Sequence, residues 1–121
     1  MKKMIDAYIE CALWTSTHFK DENDSCGTPM DELGNDMADS CRESMANDCV
    51  GFLALLDAEK IDWSQLSLEQ MGHDFWLTRN GHGAGFWDRG LGELGDVLTK
   101  WAESYGSCNL YVGDDGLIYA Y

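Results

Sequence analysis

"GHDFWLTRNGHGAGFWDRGLGELGD" (residues 72–96) gathers two of the three histidines, two of the five tryptophans and a run of glycines. Leu68, Met71, Gly72, Phe75 and Trp76 recur at helical spacing, and Asn80-Gly81 supplies a left-handed stop. A rival reading turns residues 74–88 into a β-hairpin, because Asn-Gly and glycine-rich loops also join strands. The periodicity from Leu68 onward favours the helix. Just upstream, Ser67 with Gln70 reads as a capping box opening that helix.

Working outward, "AGFWD" (84–88) reads as a short strand. Leu91, Leu94, Leu98, Trp101, Ala102 and Tyr105 then share one helix face that Gly106 ends. The tail "CNLYVGDDGLIYAY" reads as a hairpin turning at Asp114-Asp115-Gly116. Toward the N-terminus, residues 3–17 carry a helical stripe through Ile5, Tyr8, Ile9 and Ala12. Residues 19–35 hold the only proline and read as a polar loop. Asn35 or Asp36 is placed to cap a long helix reaching about residue 58. Its buried stripe is Met37, Cys41, Met45, Cys49, Phe52, Leu53 and Leu56. The expected fold is α+β, one domain over residues 1–121, with about four helices packed on a small antiparallel sheet of about three strands.

Hydrophobic residues make up 45% of the 121-residue chain, enough for a true core. No apolar run approaches the roughly 20 residues that span a bilayer, and "MKKMIDAYIEC" lacks the apolar stretch of a signal peptide. A soluble, cytoplasmic protein is expected. The five cysteines, Cys11, Cys26, Cys41, Cys49 and Cys108, are odd in number and lack metal-ligand spacing. Cys11, Cys41 and Cys49 fall on apolar helix faces, where a thiol acts as a small hydrophobe. No cofactor is expected.

The net charge of −14 disfavours direct binding to nucleic acid or anionic lipid, both of which bind by releasing counterions to Lys and Arg. It suits solubility, or attraction to a basic protein surface. Residues 21–48 hold nine acids (Asp21, Glu22, Asp24, Asp31, Glu32, Asp36, Asp39, Glu43 and Asp48) against Arg42 alone. Asp36, Asp39 and Glu43 would line one helix ridge, and such a row can imitate a phosphate track. A charge run is otherwise a solvated face. The acidic loop lacks the ligand spacing of an EF-hand.

The central stretch offers two further readings. His73, Asp74, His82 and Asp88 are metal-binding or proton-transferring residue types, which would suit a small metal-dependent enzyme or ligand-binding domain. No complete catalytic motif accompanies them. In the other reading the glycines let the chain turn against Trp76, Phe86 and Trp87, locking the aromatic core. Arg79, Asn80, His82, Trp87, Asp88 and Arg89 then form a recognition loop, a second candidate contact surface.

"HDFWLTRNGHGAGFWDR" (73–89), with "YIECALWTST" and "DEND" before it and "LGELGDVLTKWAESYG" and "LYVGDDGLIY" after it, resembles a group of small acidic proteins encoded by bacteriophages and prophages. The likeness spans most of the chain except residues 24–66. It implies a setting, the cytoplasm of an infected bacterium, and assigns no catalytic residues. Some phage accessory proteins block host nucleases by occupying their DNA channels. The resemblance therefore implies inhibition or modulation of a host defence protein, of the anti-CRISPR or anti-restriction kind, through nucleic-acid mimicry.

Overall fold

Residues 1–19, 23, 25–81 and 85–121 are described by the structure, a computed structural model. In chain order they form α1 (Lys2–Thr15), β1 (Thr17–His18), β2 (Thr28–Pro29), α2 (Met30–Leu33), α3 (Asp39–Ala58), α4 (Leu68–Arg79), a 3-10 turn at Phe86–Asp88, α5 (Glu93–Glu103), β3 (Leu110–Val112) and β4 (Ile118–Ala120). The fold is α+β and dominated by helices. None of them is long and apolar enough to cross a membrane, among the described residues.

The central stretch is helical through Arg79, as the periodicity from Leu68 predicts. Ser67 Oγ accepts the Gln70 backbone N–H at 3.1 Å, satisfying one of the donors that a helix start leaves open. Asn80 caps the other end, and Gly81 follows in the left-handed region at φ 69°. α4 packs chiefly on α1, and Gly72 makes that possible. A Cβ there would lie 2.1 Å from the Met4 carbonyl oxygen and 3.0 Å from the Tyr8 nitrogen. Only a glycine lets the two backbones approach so closely.

Aromatic rings fill the core. Phe52 of α3 stacks on Phe75 of α4 with centroids 4.2 Å apart, and Tyr8 of α1 meets Trp76 edge-on at 5.4 Å. Met4, Met45, Leu56, Met71, Leu98 and Ile118 close around them. Cys11, Cys41, Cys49 and Cys108 are buried as free thiols, and Cys26 is exposed.

Six expectations are corrected. The "AGFWD" strand is a 3-10 turn, in which Phe86 is buried and stacks on Phe52 at 6.0 Å. Its amide donates to Thr78 Oγ1 at 3.1 Å, so this hydrogen bond to α4 replaces a strand ladder. Trp87, expected in the core, is 52% exposed.

The sheet of three strands is instead two antiparallel pairs, β1 with β2 and β3 with β4. β4 also holds the chain before α3 through a parallel bridge between Met37 and Ile118. Ile118 N donates to the Asp36 carbonyl, and Ala38 N donates to that of Ile118, each at 2.9 Å. Those bonds keep residues 36–38 extended, so neither Asn35 nor Asp36 caps α3, which begins at Asp39. The Asn35 side chain donates to the Gly116 carbonyl at 2.7 Å instead.

α1 ends at Thr15, not residue 17, because Thr17 and His18 pair with Pro29 and Thr28. The loop expected over 19–35 therefore contains β2 and the single turn α2, which buries Met30.

Candidate functional site

Three surfaces bear on function, beginning with the acidic segment. Asp31 and Glu32 are exposed on α2, Asp36 on the extended segment, and Asp39 and Glu43 one helical turn apart on α3. None of the five makes an ion pair with a described residue. Asp36 stands off the helix, so the three-residue helical ridge reduces to Asp39 and Glu43. Asp21, Glu22 and Asp24 lie outside the described residues. Exposed acids also stand elsewhere, with Glu93, Asp96 and Glu103 on α5.

Asp48 is half-buried and paired. It accepts from Arg79 Nη1 at 2.8 Å. Arg79, expected on an exposed loop, is only 9% exposed at the end of α4. It also donates to Tyr8 Oη at 2.8 Å, to the Gly106 carbonyl at 2.8 Å and to the Tyr105 carbonyl at 3.1 Å. The last two acceptors lie just past α5, where a cation suits the helix dipole. Burial by itself would loosen the proton of Arg79, yet Tyr8 and Asp48 reverse the effect and the net shift is upward. Burial also drives the Tyr8 hydroxyl far above the usual tyrosine range, against the pull of Arg79.

The rest of the 79–90 loop divides. Asn80 is half-buried, donating to the Trp76 carbonyl and accepting from Cys108 N. Trp87 and Asp88 are exposed, and His82 lies outside the described residues. Arg89 is held by Asp74.

That pairing decides the histidine–aspartate cluster. Asp74 is fully buried and takes Arg89 in a two-pronged grip, Nε to Oδ2 at 3.0 Å and Nη2 to Oδ1 at 2.8 Å. The Asp74 hydrogen bond holds Arg89 more firmly protonated than a free arginine. Each Asp74 oxygen thus accepts one bond from Arg89. His73 Nδ1 lies 3.5 Å from Asp74 Oδ1. Among the described residues no three His, Cys, Asp or Glu side chains are grouped to hold a metal ion.

His73, Asp74 and Arg89 do meet, at an open cleft of about 560 Å³ between α1 and α4. α1 contributes Ala7, Glu10 and Trp14, spaced three and four residues apart along one face; α4 contributes Glu69 and Gln70. The Trp14 and His73 rings stack at 6.0 Å and 29°. Sequence reasoning missed Trp14, Glu10 and Glu69. The only signal for Glu10 and Trp14 was the helical spacing that puts a carboxylate and an indole on the same side of α1; Glu69 had none. Comparison of the chain with protein-family models, curated proteins and solved structures finds no match.

Proposed function

We propose that the protein works by binding, docking its acidic 31–43 face onto a basic surface of a host protein, one that normally holds nucleic acid. The observation that carries this reading is the crowding of five exposed carboxylates into residues 31–43, none paired with a described residue. Asp48 and Asp74 neutralise Arg79 and Arg89 in partly buried pairs. Asp31, Glu32, Asp36, Asp39 and Glu43 project into solvent without a described counter-ion. An uncompensated carboxylate surface attracts a cationic one over about 10 Å at moderate salt, raising association rates and setting orientation. The phage-like stretches supply the setting of an infected bacterium, and a nuclease of a defence complex is the partner class that fits both features.

The test is a pull-down from host lysate followed by titration of the captured protein. Affinity should fall steeply as salt rises. D36N/D39N/E43Q should abolish capture while the amide spectrum stays that of the folded chain. Full affinity in that variant would exclude this face.

A further inference from the structure

We infer that the cleft between α1 and α4 is a binding site for a guanidinium-bearing ligand. It is built on elements separate from the 31–43 face, so the two readings fail separately.

Charge sets the sign of the ligand. Of the ionised groups lining the cleft, Asp74 is matched by Arg89, while Glu10 and Glu69 are exposed and form no ion pair with a described residue. Its carboxylates, Glu10, Glu69 and Asp74, outnumber its one arginine, Arg89, by two. An anion reaching for Arg89 would sit among those two carboxylates and find Nε and Nη2 already spent on Asp74.

Shape and softness narrow the class. Trp14 leaves 49% of its surface exposed at the cleft, its ring held against His73. An indole face is the strongest of the aromatic cation acceptors. A guanidinium is flat, weakly hydrated, stacks on aromatic rings and donates in pairs to carboxylates, whereas an ammonium is a compact and strongly hydrated point charge. The cleft therefore offers both halves of guanidinium recognition, a ring to lie on and carboxylates at the edge. Its volume of about 560 Å³ lies within the roughly 300–1,000 Å³ usual for small-ligand pockets. That leaves room for the head and an aliphatic stem.

The same head group can come from a free small molecule or from an arginine side chain. The experiment titrates the isotope-labelled full chain, at fixed ionic strength, with ethylguanidinium and separately with a short neutral peptide carrying one arginine. The Trp14 indole N–H and the His73 amide are followed by NMR. Saturable shifts confined to the cleft are expected, with a dissociation constant on the order of millimolar. W14L should weaken binding about fivefold, and E10Q/E69Q about tenfold. Both variants are checked by unchanged amide shifts away from the cleft. Saturation by ethylguanidinium makes a free ligand sufficient; saturation by the peptide alone puts the head group on a protein chain. Shifts that do not saturate with either probe, that survive E10Q/E69Q, or that acetate or butylammonium reproduces equally would overturn the assignment.

Discussion

Arg79 and Asp74 carry the heaviest individual demands in the fold. Arg79 satisfies a carboxylate, a phenol and two carbonyls at once, tying α1, α3, α4 and the end of α5 together. Removing it takes the donor from all four acceptors. Arg79→Met should therefore cost about 3–5 kcal/mol in denaturant unfolding. Asp48→Asn should cost only about 1 kcal/mol, because Asp48 is partly solvated and Arg79 keeps three other acceptors. Equal losses from the two substitutions would show that the pair, not the network, matters. Four of the five cysteines behave as apolar core residues. Burial, aided by the nearby carboxylates of Asp74 and Asp48, pushes the Cys11 and Cys49 thiols up to about 12. A thiol reagent at neutral pH should label Cys26 quickly and the other four only on unfolding, counted by mass. Arg79 looked like a loop residue because Asn80-Gly81 follows it; that it points inward depends on Asp48, 31 positions away.

At the scale of elements, the α1–α4 contact and the C-terminal hairpin make separate demands. Gly72 admits no side chain, since the atoms in the way are backbone. Gly72→Ala should cost about 2–3 kcal/mol, measured by urea unfolding, as the helices are forced apart. The hairpin is pinned by Asp115, which accepts from Tyr119 Oη and from Leu117 N. Those bonds, Tyr119 first, hold the Asp115 carboxyl below the usual carboxylate range. A lowered folded-state pKa contributes stability that is present above the ordinary value of about 3.9 and lost as pH falls through the folded value. NMR titration should show Asp115 and Tyr119 shifting together below that ordinary value, and Tyr119→Phe should restore Asp115 toward it. Periodicity exposed α4, α5 and the buried stripe of α3 from Cys41 to Leu56, though not Met37, which lies before the helix, and "GDDG" marked the hairpin turn. It did not expose the Met37–Ile118 bridge, whose partners are far apart in the chain and whose local signals favoured a helix cap.

For the molecule as a whole, two responses to salt should run in opposite directions. A net charge of −14 repels itself, and screening relieves that repulsion. Raising salt from low to physiological concentration should increase Tm by a few degrees, as about 1 kcal/mol does in a domain of this size. The same change should weaken docking of the 31–43 face. A partner whose affinity rises with salt would point to apolar contact instead. The candidate surfaces were unequally legible. The acidic segment stood out by composition, which is local along the chain. The cleft did not, because Trp14 and His73 come from different helices and only their packing brings the rings together.

Sequence by itself determined the helical and strand periodicities, the caps that a Ser-x-x-Gln or a glycine can signal, and the excess of negative charge. These are properties of neighbours along the chain, with ranges of a few residues. Only the tertiary structure decided which carboxylates are neutralised. Pairing Asp48 with Arg79, and Asp74 with Arg89, required helices to be packed before the charges could meet. The same packing left Glu10, Glu69 and the 31–43 acids exposed, with no ion pair to a described residue, because a buried charge demands a partner and a solvated one does not.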